Sequence, residues 1–304
     1  MGHYARGSRR IVPVDECPVH DARGNRVAFR FYDAFARAGI AAAPAGALRS
    51  IAVRTASGTP EVMATLVVAG DTDTRLRSAT RRAMKGSDAP DGLHLNLHPR
   101  GDAFIFGPET RHIAGPQRLR EKVAGTSFLI SPTAFFQTNV HAAEILVELV
   151  LAAVPAGAQV VDLYAGAGLF ALPLARRGHA VIAVEENRLA VADGEASARL
   201  NRIGPGQCRF VARRVESALG SIRRADVVVL DPPREGCAPG VIDDVLGRLR
   251  PRRVVYVSCN PEALARDLRA AVSFPYTITA VQPVDMFPHT AHVETVATLV
   301  NRES

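Results

Sequence analysis

Beyond about residue 125, short runs rich in Val, Ile and Leu alternate with stretches of helical periodicity. The runs are QVVDLY (159–164), AVIAVE (180–185), CRFVA (208–212), DVVVLD (226–231), RVVYVS (253–258), YTITAVQPV (276–284) and VETVATLV (293–300). Helical stretches fall between them at 139–153, 168–177, 187–202, 239–249 and 261–272. An apolar run without a polar face must be covered on both sides. Such strands alternating with helices predict βαβ units in a mostly parallel, doubly wound α/β sheet.

Residues 1–124 have another texture. Strand-like runs SIAVRT (50–55), EVMATLVVAG (61–70), HLNLH (94–98) and DAFIFG (102–107) are mixed with helix-like stretches near 26–38 and 72–84. Turn residues separate them. This pattern predicts a smaller α+β domain with an antiparallel sheet. The expected division is therefore 1–124 and 125–304. A chain of 304 residues suits two domains.

No apolar run is long enough to span a bilayer, and MGHYARGSRR lacks the apolar core of a secretory signal. A cytoplasmic protein with no membrane partner is expected. The four cysteines, Cys17, Cys208, Cys237 and Cys259, contain no CxxC pair, which argues against a zinc site or a disulfide framework. Net charge is +7, and the only lysines among the 37 basic residues are Lys85 and Lys122. Such a basic balance permits a nucleic-acid partner without requiring one.

Several segments carry candidate chemistry. In VVDLYAGAGLF (160–170), a strand runs through a glycine turn into a helix. Gly166 and Gly168 allow a ligand to approach the backbone at the carboxyl edge of the sheet. Glu185 ends the next strand, where a carboxylate can accept hydrogen bonds from ribose hydroxyls. S-adenosylmethionine and NAD sites share this plan, and position 171, where a dinucleotide fold wants its third glycine, is Ala. In VVLDPPREG (228–236), two prolines hold Asp231 rigidly at a strand end. In VVYVSCNPEALARDL (254–268), Cys259 stands between a strand and a helix start, where the helix dipole favours a thiolate. Glu294 begins the last apolar strand, where apolar neighbours raise a carboxyl pKa and suit it to proton transfer. His289 and His292 lack a third ligand with metal spacing. In SPTAFFQTN (131–139), Phe135 and Phe136 are core or stacking residues, with the core favoured, and Gln137 and Asn139 lie at a helix entry, where they can cap it.

These segments, in this order, resemble the RNA uracil-5-methyltransferase family. The matching stretches are SPTAFFQTN, DLYAGAGLF, VVLDPPREG, VVYVSCNP and DMFPHTAHVE, and weaker similarity upstream extends the resemblance over nearly all of the chain. It implies methyl transfer from S-adenosylmethionine to carbon 5 of an RNA uridine, with ribosomal RNA favoured over transfer RNA. Cys259 matches the nucleophile that adds to carbon 6, and Glu294 matches the base that removes the carbon-5 proton. Gln137, Tyr164, Glu185 and Asp231, with Gly166 and Gly168 in the turn, match the methyl-donor site. The target base must leave its stack to reach such a pocket.

The sequence departs from the family at three points. Leu169 replaces a polar residue of the glycine turn. Arg213 and Arg214 stand where an acidic residue usually helps hold adenine. Many members begin with a β-barrel domain, and some hold an iron–sulfur cluster on four cysteines. Cys17 resembles the last of those four, and the other three would lie upstream of it. Either the chain holds no cluster or it is a fragment whose start is missing; no metal or cluster is expected in this chain. Other readings are a nonenzymatic RNA-binding relative, a nucleobase amino-methyltransferase and a dinucleotide oxidoreductase. The arginines of the first domain, including Arg75, Arg77, Arg81 and Arg82, are candidates for phosphate contacts.

Overall fold

The computed structural model describes residues 2–8, 10–43, 45–70, 73–100 and 104–303. It divides into two compact units, Met1–Glu121 with Ser131–Thr133 and Lys122–Ile130 with Ala134–Ser304.

In the first unit, β1 (Gly2–Tyr4) and β2 (Ile11–Pro13) pair antiparallel. α1 (Ala22–Arg37) starts at Asp21, whose carboxylate accepts the Arg23 N–H. Its Val27, Phe31 and Phe35 recur every four residues, share one face and are buried. They pack with Leu76, Ala79 and Ala83 of α2 (Thr74–Ala83) over the sheet. That sheet is β3 (Leu48–Thr55), β4 (Val62–Val68), β5 (Gly92–Leu97) and β6 (Glu109–Ala114), in that spatial order.

Two sequence expectations change here. The sheet is mixed, because β4 and β5 run parallel while the outer pairs are antiparallel. The cause is α2, which carries the chain back over the sheet so that β5 can start level with β4. The expected strand DAFIFG is also absent over 104–107, where Phe104 and Ile105 are exposed. Asn96 pins that loop, accepting the Gly107 N–H at 2.7 Å and donating to the Gly107 carbonyl at 3.0 Å. Residues 102–103 of that run, and Thr72 at the expected start of α2, lie outside the described residues.

The division between units falls in a hairpin. β7 (Leu119–Val123) and β8 (Thr126–Ile130) form a two-stranded ribbon turned at Ala124 and Gly125, both at positive φ. In the second unit β8 docks on α5 (Arg188–Leu200) through Ser197 and Asn201.

The main sheet of the second unit has the order β11-β10-β9-β12-β13-β15-β14. After α3 (Val140–Ala153), the parallel part comprises β9 (Gln159–Leu163), β10 (Ala180–Glu185), β11 (Cys208–Ala212), β12 (Val227–Leu230) and β13 (Arg253–Ser258). α4 (Ala171–Arg176), α5 and the short α6 (Val215–Leu219) link the first four strands. β14 (Tyr276–Val284) and β15 (Glu294–Asn301) close the sheet with antiparallel pairings. The sheet is thus doubly wound and mostly parallel. The helix expected at 239–249 is instead one short turn, α7 (Val241–Asp243), widening into a π-helical turn over Asp244–Leu249. α8 (Pro261–Ala270) follows β13. Val161, Leu163, Val228, Leu230, Val254 and Tyr256 are buried on one side of the sheet with Leu246 and Leu264.

Candidate active site

The chain leaves β9 toward β10 on one side and returns to β12 on the other. That reversal opens a crevice at the carboxyl ends of the strands, where α/β sheets bind ligands. A cavity of about 1170 Å³ lies there, wholly within the second unit. Gln137, Tyr164, Gly166, Glu185, Asp231, Cys259 and Glu294 all line it. Of the residues picked out for the donor or the chemistry, Gly168 alone is not among the lining residues.

The two glycines have different work. Gly166 has φ +54°, and nothing lies within 4 Å of where a Cβ would stand. Its N–H donates to Glu185 at 2.9 Å. Gly168, at φ +87°, gives space to the Phe210 ring, which would be 2.8 Å from an added Cβ. It is a packing glycine. Glu185 also accepts the Asn187 N–H at 2.7 Å. A carboxylate has about four acceptor positions, so capacity remains for a ligand's hydroxyls. Tyr164 adopts a left-handed φ of 62°. Its hydroxyl accepts the Ala238 N–H at 3.2 Å, and burial pushes its pKa up to about 12.

Cys259 and Glu294 come from segments far apart in the chain. β13 and β15 pair antiparallel with Ser258 opposite Thr295. Continued by one position, that register brings Cys259 level with Glu294, the first residue of β15, and both line the cavity. Burial raises the Cys259 thiol pKa, Glu294 and Asp231 raise it further, and Arg234 opposes them. Burial and the neighbouring carboxylates thus act against the thiolate that the helix start favours. Burial also raises Glu294, again opposed by Arg234. Asp231 is held well above the ordinary carboxylate range by burial and by the negative charges of Glu294, Asp162 and Glu185.

The loop after Asp231 is fastened to the segment that carries Cys259. Asn260 donates to the Arg234 carbonyl at 3.0 Å and caps α8 through the Glu262 and Ala263 N–H groups. The Asp267 carboxylate accepts the Cys237 N–H at 2.8 Å and the Tyr256 hydroxyl at 2.7 Å. Arg266 donates to Asp267 and to the Glu235 carbonyl.

The sequence pattern of the tRNA (uracil-5-)-methyltransferase family matches residues 117–302. The chain belongs to this family. An uncharacterized RNA methyltransferase of Gloeobacter violaceus is 42% identical over 98% of this chain and 66% of its own length. A second, from Synechocystis, is 38% identical over 96% of this chain and 64% of its own. The chain therefore spans about two thirds of the length of these relatives. Among solved structures, the Pyrococcus abyssi tRNA (uracil-54, C5)-methyltransferase in complex with S-adenosyl-L-homocysteine is 30% identical, with a TM-score of 0.83 over 96% of this chain and 70% of that one. The second unit has the Rossmann-like methyltransferase fold.

Several residues of this family member's cavity escaped the sequence reading. Phe135, Phe136 and Phe287 all line the cavity, but Phe136 is buried against Phe128 whereas Phe135 is 78% exposed. Phe–Phe in a run gives no signal of which ring turns outward. Arg234 belongs to the segment after Asp231 and lines the same cavity, where its charge acts on Cys259 and Glu294. Among the described residues no three His, Cys, Asp or Glu side chains gather as a metal ligand set, and no helix is long and apolar enough to cross a membrane.

Proposed function

We propose that this chain methylates carbon 5 of a uridine in RNA, with S-adenosylmethionine as donor and Cys259 as covalent nucleophile. The observation that carries the reading is the β13–β15 register, which sets Cys259 beside Glu294 in the cavity that also holds the glycine turn. The residues fit the donor. Gly166 leaves open backbone space, Glu185 keeps free acceptor positions, and Gln137, Tyr164 and Asp231 line the same cavity. When bound, the donor supplies an electrophilic methyl group on a sulfonium.

Carbon 5 of uracil is a weak nucleophile. Cys259 gives up its proton, and its sulfur adds to carbon 6, leaving electron density at carbon 5. Arg234 favours the thiolate. Carbon 5 would then take the methyl group as the methyl–sulfur bond breaks, leaving the neutral thioether S-adenosylhomocysteine. Glu294 removes the carbon-5 proton, the carbon–sulfur bond breaks, the ring double bond returns, and the thiolate is freed. Phe135 and Phe287 offer ring faces at the cavity for a base turned out of its stack. The arginines on the exposed side of α2 in the first unit, Arg75, Arg77, Arg81 and Arg82, support RNA contact there.

The test uses RNA containing 5-fluorouridine with S-adenosylmethionine. Fluorine cannot leave as a proton, so the reaction stops with protein bound to RNA. A denaturant-stable band that disappears in Cys259→Ala is expected. Donor binding without any band would refute the nucleophile assignment and point to amino-methylation. Sequencing the trapped RNA separates ribosomal RNA, which the sequence favours, from transfer RNA, named for the P. abyssi relative.

A further inference from the structure

A second groove, of about 400 Å³, opens at the free edge of the main sheet. β11 is the outermost strand there. Arg209 and Val211 share one side of the strand, and Arg213 follows in the bend just past its end. Phe210 turns the other way, toward Gly168 and Gly194. On the arginine side α6 is only five residues long. It leaves Ile182, Val184 and Val211 as an apolar floor, rimmed by Arg209, Arg213, Arg223 and Arg224. Arg224 is paired with Asp226 at 3.3 Å. The other three are exposed and have no ion pair among the described residues. Like charges gathered in one groove repel each other, and a polyanion relieves that repulsion.

Arg213 and Arg214 are the residues that depart from the family pattern. They are neighbours in the chain but line different clefts. Arg214, paired with Glu186 at 3.1 Å, lines the active-site cavity, and Arg213 lines the groove. The groove thus starts where the cavity wall ends. Arg209 lies within β11, Arg213 in the bend just past its end, and Arg223 beyond α6, so the charges are spread around the rim of the groove. Charges spread in this way suit a chain of phosphates, and the apolar floor suits a ribose or a base.

We propose that this groove binds the phosphate backbone of RNA along the β11 edge, outside the active-site cavity. The proposal rests on the RNA-methylation reading and deepens it. It assigns the departure at Arg213 to RNA binding.

The experiment titrates salt against binding of a fluorescent oligouridine of about 20 nucleotides to the full chain. One variant carries Arg209→Gln, Arg213→Gln and Arg223→Gln. A second carries Lys at the same positions, and a third carries Arg37→Gln, Arg188→Gln and Arg269→Gln to match the lost charge. Each single-strand phosphate contact contributes about 0.7 to the slope of log K against log salt. The first variant should bind at least about tenfold more weakly at low salt, with a slope shallower by about 2. The Lys variant should keep the slope, as should the charge-matched one. An unchanged slope in a folded Gln variant overturns the proposal, and so does an equal loss in the charge-matched variant. Oligoglutamate bound more tightly than oligouridine, and lost with the same arginines, overturns it in favour of an acidic peptide. A fluorouridine adduct with an unaltered salt slope in the Gln variant sinks the groove alone. Groove-dependent binding without any adduct sinks the methylation reading alone.

Discussion

Asp162 is fully buried in β9, where only the Ala171 backbone N–H works against its protonation. Burial, with Glu185 adding to it, raises its pKa to about 8. Between about pH 4 and 8 the folded protein holds a proton that the unfolded chain has released. Asp162 therefore favours folding most on the acid side, and that contribution falls as pH rises through this window. The stability of Asp162→Asn relative to wild type should rise between pH 5 and 8 by on the order of 4 kcal/mol, read by urea denaturation. A parallel pair of pH curves would refute this. At the reacting centre the two raised groups act in one direction. Cys259 must lose a proton and Glu294 must be ionised, so kcat/KM should climb with pH across neutrality. Glu294→Gln should lower turnover by at least about 100-fold and let the protein–RNA adduct accumulate on ordinary uridine RNA. Gly168→Ala should cost about 1–3 kcal/mol, because the new methyl meets the Phe210 ring in a backbone conformation that side chains avoid.

At the scale of elements, the junction of β13 and α8 does two jobs. It presents Cys259, and through Asn260 and Asp267 it holds the loop that runs from Asp231 to Cys237. Gly236 in that loop has φ +84°, and a Cβ there would meet Arg266 and Asp267, so the loop lies tight on α8. Removing Asp267 leaves the Cys237 N–H and the Tyr256 hydroxyl without their acceptor. Asp267→Ala should destabilise by about 2–4 kcal/mol. Its donor affinity should also fall at temperatures where the protein remains folded, as calorimetry with S-adenosylhomocysteine would read. Equal donor affinity in the folded variant would mean that the loop is held without Asp267. The helices ahead of this junction were easier to foresee. Asn139, Asn187 and Asn260 each accept N–H groups at a helix start, and such caps are readable in sequence. The π-helical turn after α7 was not, because a helical apolar pattern does not distinguish an α turn from a wider one.

For the whole molecule, the cavity belongs to the second unit alone. Adding S-adenosylhomocysteine at about 100 times its Kd should stabilise the protein by about 2.7 kcal/mol. Hydrogen-exchange protection should gather at 163–168, 185–187 and 231–238. The sequence by itself determined the doubly wound sheet, since apolar strands alternating with helices bury both faces in few other ways. It also marked Gly166, Glu185, Asp231, Cys259 and Glu294, because each sits at a strand end or turn whose local chemistry is legible, whereas Gln137 and Tyr164 came only from the family resemblance. Only the tertiary structure decided that Cys259 and Glu294 meet. Their meeting depends on the antiparallel register of β13 with β15, a pairing between segments separated by α8 and β14. The same holds for the packing role of Gly168, the outward turn of Phe135, the parallel β4–β5 pair and the arginine groove at β11. Local propensity acts over a few neighbouring residues, whereas register, burial and the fields of distant charges exist only once the chain has closed on itself.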